Sequence, residues 1–335
     1  MAQNGFNRME EAFGGIPVIT RALLVINVAV HIIIFALSLN LNTFSISAHL
    51  VIDDNEYYRI ISAAFVHAGL MHIFMNMSSL LQLGLSLEAH FGSLQFLFLT
   101  LWSLFAVGGL YIFLAVLFSY VDPGQMYSSG VGYSGILFCY ALIEAFHTTE
   151  TSRSIFGMFT VPSRMYPFIL LIILQIVIPN ISFLGHGAGI LVGLAVVYGG
   201  MNFILPSNDF LSYIETTAMF GPLTKAGGYV RTNNRSLCSG PGGSCYAVFK
   251  MALECFGYAW NVISAMLYIV GCPVDRMAQG ISGMFARVRQ TFDSLRAQSS
   301  GPSTDSSVEL GNYVRVETSS DLEGARGTDG SSVKV

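Results

Sequence analysis

Six apolar runs, each near the thickness of a bilayer's hydrocarbon core, fill the first 205 residues: 18–40, 69–87, 93–121, 131–148, 165–180 and 183–205. A helix needs about 20 apolar residues to cross that core. In lipid every backbone amide must find its partner inside the protein, which a helix achieves within one segment. Charged residues make up only 11 % of the chain and apolar ones 53 %, where ordinary soluble domains carry about 25 % charge. The chain therefore reads as an all-α, multi-spanning membrane protein. The fifth run is short, and the second carries polar residues, as a helix lining a wet cavity does.

Charge returns after the sixth run and divides the chain. Residues 1–17 form a cytosolic N-terminus, 18–205 a membrane domain, 206–248 a cytosolic linker, 249–296 a pair of membrane-associated amphipathic helices, and 297–335 a Ser/Gly/Thr/Asp-rich tail expected to be disordered. Two readings fit 249–272. Lys250, Glu254, Gly257, Asn261 and Ser264 make a narrow polar stripe, which suits a helix at the interface. A seventh span is the other reading, but it would carry Arg276, Arg287, Arg289 and Arg296 against the positive-inside rule. Residues 274–296 show one apolar face and scattered arginines, fitting an interfacial helix or a soluble helix docked on the domain.

Orientation follows from the basic residues. Arg59 stands alone in the loops of one side, whereas Arg8, Arg153, Arg164, Lys225, Arg231 and Arg235 gather on the other. Both ends of the membrane domain then face the cytosol. The 41–68 loop is too long for a simple connection and too apolar for disorder, so it packs at the lumenal surface. Glu10 and Glu11 beside Arg8 resemble neither a secretory n-region nor an Arg-rich transit peptide. Five cysteines, odd in number and scattered, give no disulfide framework. Cys238 and Cys245 have no histidine nearby to complete a zinc shell.

Two polar residues inside these runs carry chemistry. Ser134 lies in Gly132-Tyr133-Ser134-Gly135, and His186 in Gly185-His186-Gly187-Ala188-Gly189. Ionisable and polar groups at membrane depth mark functional sites. An imidazole can take a serine's proton and return it to a leaving amine. Glycines beside the serine permit close backbone approach, although small residues there also serve plain helix packing. Gly185, Gly189 and Gly193 recur every four residues, the surface that draws two membrane helices together. On the second run, His72 and Asn76 share one helix face, with His67 just before. Imidazole and carboxamide donors are what a tetrahedral oxyanion requires. Metal binding by His67 and His72 is the runner-up, and it lacks further ligands in the first spans.

Taken in this order, His67, His72-x-x-x-Asn76, Gly-x-Ser134-Gly and Gly-His186-x-x-Gly resemble the rhomboid intramembrane serine proteases, over residues 18–205. The resemblance implies a six-helix bundle, with Ser134 as nucleophile and His186 as general base in a dyad without a carboxylate. It implies an oxyanion hole from His72, Asn76 and the Ser134 backbone N–H. His67, Gly132, Gly135 and Gly189 support the site, and the Phe138 ring stacks on the histidine. Tyr58-Arg59 stands where the family has Trp-Arg, and Glu88 with Ser93 where it has a structural hydrogen-bond pair. No metal, other cofactor or nucleic acid is implied. The partners are single-span membrane proteins and the lipid bilayer.

The expected activity is endoproteolysis of transmembrane segments, with small side chains at the cut. The competing reading is an inactive, derlin-like client-binding protein. The expected location is the endoplasmic reticulum or another secretory-pathway membrane. Asn234-Arg235-Ser236 is a glycosylation acceptor that this topology keeps in the cytosol. An unglycosylated chain is expected on endoglycosidase gels, and sugar on Asn234 would reverse the orientation.

Overall fold

A computed structural model describes residues 14–155, 157–178, 181–200, 204–233 and 235–238. The expected interfacial helices in 249–296 and the tail from 297 lie outside the described residues, as does most of the N-terminal segment. The elements are α1 (Val18–Ala36), α2 (Ala48–Ile52), α3 (Arg59–Phe65), α4 (Leu70–Phe91), α5 (Ser93–Ser119), α6 (Ser134–His147), β1 (Ser152–Ile155), β2 (Phe159–Pro162), α7 (Tyr166–Val177), α8 (Phe183–Val197), α9 (Asn208–Glu215) and α10 (Gly221–Thr224). Among the described residues, α1, α4 and α5 are long and apolar enough to cross a membrane. The apolar helices α6, α7 and α8 are shorter, at 14, 12 and 15 residues.

Helix α6 forms the centre, with every residue from Ile136 to Phe146 buried. It packs chiefly against α8, with α4, α5 and α7 around it. Its polar side chains pair internally: Thr100 meets the Tyr140 hydroxyl at 2.6 Å, and Tyr133 approaches the same hydroxyl at 3.4 Å. The outer helices instead turn Val25, Ile32, Phe35, Phe105 and Phe113 outward. Such a belt would aggregate in water and is stable against lipid tails.

The chain before α6 is irregular, and the first loop makes that possible. Gly130 and Ile46 exchange both backbone hydrogen bonds, at 2.9 and 3.0 Å, and the Gly132 amide donates to the Ala63 carbonyl at 2.8 Å. Non-helical backbone at membrane depth is tolerated only when protein or enclosed water satisfies it. The short helices α2 and α3 place that partner backbone and pack on α5. Arg59 is 5 % exposed. Its guanidinium ties the loop together, donating to the Asn42 and Ser45 carbonyls at 2.7 Å and pairing with Glu56 at 2.5 Å.

At the other end of the domain one carboxylate joins three helices. Helix α1 begins after Pro17 with no side-chain cap of its own, leaving its first amides unpaired. Glu88 of α4 accepts from Ile19 N at 2.9 Å, Thr20 N at 2.7 Å, Thr20 Oγ1 at 2.7 Å and Ser93 Oγ at 2.6 Å. A negative charge at a helix N-terminus is also favoured by the macrodipole. Glu88 is fully buried, and its four donors make that burial tolerable.

The stretch read as a linker is folded where it is described. Val230 exchanges hydrogen bonds with Ser93, through Ser93 N at 2.8 Å and Ser93 Oγ at 3.0 Å, and Gly228 accepts from Val18 N at 3.1 Å. Gly92 has φ +97°, and a Cβ there would lie 2.7 Å from the Arg231 carbonyl, so a close strap and a left-handed turn both require glycine. Glu215 accepts from the Tyr229 hydroxyl and from Thr232 N, each at 2.7 Å. Burial and that carboxylate raise the Tyr229 phenol above its ordinary range, so it stays a donor.

Replacing Glu88 by Ala should lower the domain's stability by about 3 kcal/mol or more, since it strands several buried donors. Ser93→Ala, which removes one donor to Glu88 and the acceptor of the Val230 amide, should lose about 1–2 kcal/mol. Thermal unfolding in micelles measures both, and equal midpoints for the two variants would contradict the anchor.

Candidate active site

Ser134 is the first residue of α6, and three local features expose it there. Tyr133 caps the helix in a helical conformation without a side-chain bond, Gly132 before it has φ +116°, and the extended 128–132 run has kept the helix from starting earlier. A Cβ on Gly132 would lie 2.7 Å from His72 Cε1 and Nε2 and 3.8 Å from Ser134 Oγ. Glycine therefore lets the imidazole of α4 and the hydroxyl of α6 face the same small volume. As the first helical residue, Ser134 also has a backbone N–H with no intrahelical acceptor.

His186 sits in the first turn of α8, whose N-terminus is capped by Ser182 Oγ accepting from Gly185 N at 3.1 Å. Its Nε2 lies 2.8 Å from Ser134 Oγ. The Phe138 ring, one turn beyond the serine, stacks on the imidazole with centroids 4.6 Å apart and planes tilted by 31°. His186 is 6 % exposed, and its Nδ1 has no hydrogen-bond partner among the described residues. Among the described residues no carboxylate orients this histidine. The ring is held by Phe138 and by its helix.

Glycine makes the α6–α8 approach possible. A Cβ on Gly189 would overlap the Gly135 carbonyl oxygen, one on Gly193 would lie 2.9 Å from the Cys139 carbonyl oxygen, and one on Gly135 would lie 3.1 Å from the Gly185 carbonyl oxygen. The third glycine of the four-residue repeat behaves differently. A Cβ on Gly185 would meet the capping Ser182 hydroxyl at 3.0 Å, so Gly185 serves the cap and not the helix seam.

A cavity of about 250 Å³ opens over the pair, bounded by Tyr111, Gly132, Ser134, Ser182, His186 and His72. The Ala68 amide donates to His72 Nδ1 at 3.3 Å. That bond makes Nδ1 the acceptor, so the proton of the neutral ring sits on Nε2, at the cavity. Asn76 is placed differently. Its Nδ2 donates to the His72 carbonyl at 2.8 Å, its Oδ1 is unpartnered, and it does not line the cavity. His67 is 1 % exposed and lies edge-on behind His72, with ring centroids 5.1 Å apart. Among the described residues no three metal-ligating side chains converge.

Three residues around the site went unread in the sequence. Tyr111, whose hydroxyl donates to the Ser128 carbonyl at 2.8 Å, is hidden in an apolar run and leaves no local signal. Ser182 does carry one, since a serine opening an apolar run is an N-cap signature. His31 stands 6.5 Å from His67, and an imidazole in a membrane helix warranted notice on that ground alone.

The arrangement provides a hydroxyl within 2.8 Å of an imidazole nitrogen, a second imidazole N–H beside it, and the free amide of a helix N-terminus. That set can activate an oxygen nucleophile and stabilise a developing oxyanion. Gly189→Ala should drive α8 off α6. A displacement near 1 Å reduces such chemistry roughly 10²-fold, so covalent labelling of Ser134 by a fluorophosphonate probe should slow by at least that much. Undiminished labelling would show that the glycine seam does not control the contact.

A family model described as the Rhomboid domain matches residues 54–203, which run from within the first loop through α8. Rhomboid-like protein 15 of Arabidopsis thaliana is 31 % identical over 274 residues, covering 78 % of this chain and 66 % of that protein. Rhomboid-like protein 14, mitochondrial, of the same plant is 29 % identical over 233 residues, with 66 % and 68 % covered. Rhomboid-type serine protease B of Aspergillus fumigatus is 30 % identical over 161 residues, with 47 % and 57 % covered. The chain thus spans about two thirds of the plant relatives and somewhat over half of the fungal one.

Proposed function

The chain belongs to the rhomboid family of integral membrane proteins, and from that premise we propose that it is an intramembrane serine endopeptidase. In this reading the six apolar helices are the six spans of the bundle. Ser134 and His186 are its dyad, and membrane proteins with a single transmembrane segment are its substrates. The observation that carries the proposal is the 2.8 Å approach of His186 Nε2 to Ser134 Oγ beneath a cavity.

The chemistry runs in two stages. Ser134 Oγ bonds to the substrate carbonyl carbon while its proton passes to His186 Nε2. The oxyanion accepts hydrogen bonds from His72 Nε2–H and the Ser134 backbone N–H. Asn76 has one amide hydrogen left after its bond to the His72 carbonyl, and it joins this set by a side-chain rotation once the negative oxygen is present. Collapse breaks the C–N bond, and the nitrogen leaves with the proton from His186. Water then attacks the acyl carbon, gives its proton to Nε2, and Ser134 departs with that proton. The glycine-lined approach admits an extended peptide, so a substrate helix unwinds before it is cut, and small side chains fit beside Gly132.

The fungal relative is named a serine protease, which agrees with this reading. Location in a secretory-pathway membrane belongs to the same proposal and rests on the resemblance carried by the motif pattern; the mitochondrial place in one plant relative's name belongs to that protein. Co-expression with a panel of single-span proteins tests the activity. Cleavage should vanish in Ser134→Ala and His186→Ala. It should fall roughly 10²- to 10³-fold in His72→Ala, the typical effect of removing one oxyanion donor, and less in Asn76→Ala. Client binding that survives Ser134→Ala, with no serine-dependent fragment from any substrate, would identify the chain as a derlin-like binding protein instead.

A further inference from the structure

A second cavity, of about 310 Å³, lies at the far end of α6 from Ser134, between α4, the β1–β2 hairpin and the start of α7. Its polar lining includes Gln82, Glu144, Glu150, Arg153, Ser154 and Tyr166. Arg153 Nη2 pairs with Glu144 Oε1, and the guanidinium lies 5.7 Å from the Tyr166 ring centroid. Only one edge of this ion pair is closed. Among the described residues Glu144 Oε2 and Arg153 Nε are both buried without a hydrogen-bond partner, and Glu144 is 6 % exposed. Both residues line the cavity, and each keeps one polar atom unsatisfied.

Buried charged atoms left in this way are strongly unfavourable, and native structures fill such places. The filling group must donate to Glu144 Oε2 and accept from Arg153 Nε–H. The two carboxylates of Glu144 and Glu150 outnumber the single guanidinium, so the donor should bring positive charge. A primary ammonium does so with three N–H groups, and a phosphate oxygen two carbons away supplies the acceptor. The surroundings say where such a molecule comes from. The cavity is flanked by the membrane-length helix α4, and the hairpin tip projects Met158, which is 72 % exposed, as a segment dipping into acyl chains would.

We propose that this cavity binds the headgroup of an aminophospholipid of the phosphatidylethanolamine type. The ammonium sits between Glu144 and Glu150, and the phosphate lies on Arg153 with the Tyr166 and Ser154 hydroxyls. A choline headgroup is excluded by chemistry, because its nitrogen has no hydrogen to donate. The bound lipid would tie the end of α6 to the hairpin.

Thermal unfolding of the full chain in maltoside micelles tests this, with phosphatidylethanolamine or phosphatidylcholine of identical acyl chains titrated in. The ethanolamine lipid should raise the midpoint and the choline lipid should not. Glu150→Gln changes an exposed side chain and should fold normally. It should raise the half-saturating lipid fraction roughly tenfold, the worth of one charge-assisted contact. Equal shifts from the two lipids, or an unchanged titration in Glu150→Gln, would overturn the proposal. So would an equal shift from phosphatidylglycerol, which removes the need for an ammonium. A matching effect of soluble phosphoethanolamine would assign the cavity to the free headgroup and overturn the lipid assignment.

Discussion

Two helices approach so closely that a carbonyl of one occupies the place where a side chain of the other would begin. Lipid tails offer no hydrophobic incentive for helices to associate, so α6 and α8 meet through van der Waals contact and backbone proximity. Gly135, Gly189 and Gly193 remove the carbons that would prevent it. Ser134 and His186 stand at one end of that seam, on the first turns of their helices. Their 2.8 Å separation is therefore a consequence of helix packing, and among the described residues no carboxylate enforces it. A polar pair placed this way is held by rigid backbone contact, without a third polar residue that would be hard to satisfy in a membrane. Phe138 limits the remaining rotation of the ring by stacking.

The same economy appears before α6. A reactive serine at the start of a helix leaves its amide free to bind an oxyanion, but the residues leading to it are non-helical and must be paired. The first loop supplies that pairing through Ile46 and Ala63. Arg59 holds the loop by donating to two carbonyls and pairing with Glu56. The loop thus acts as a surrogate backbone partner, and the 250 Å³ cavity is the space left where that pairing stops.

Much of this was legible because the chemistry is expensive to place in a membrane. Ser134, His186 and His72 stood out as polar groups inside apolar runs, and the repeat of glycines pointed to the contact that joins two of them. What was illegible depended on partners distant in sequence. Tyr111 looks like any other aromatic in α5, and only the fold brings it to the Ser128 carbonyl. Helical spacing put Asn76 on the same face as His72, yet its amide turns back to the His72 carbonyl, a local bond that periodicity does not anticipate. The 206–248 stretch reads as linker because its composition is polar. Its described part nonetheless straps the domain through backbone hydrogen bonds at Gly228 and Val230, which leave no mark in composition.

These partners converge on α4. His72, near its start, must keep its register against Ser134 on another helix, and the two are joined by no direct bond. A local bond and a remote clamp act on α4. At one end the Ala68 amide fixes the His72 ring. At the other, Glu88 clamps the helix to the N-terminus of α1 and to Ser93, sixteen residues on, or about 24 Å at the α-helical rise. A slip of one turn would break all four of the Glu88 bonds together, whereas a smaller tilt would strain them unequally. The buried carboxylate thus holds the imidazole donor in place from the opposite end of the domain. Helix α1, which lies outside the matched family region 54–203, is for this reason part of the frame around the candidate site.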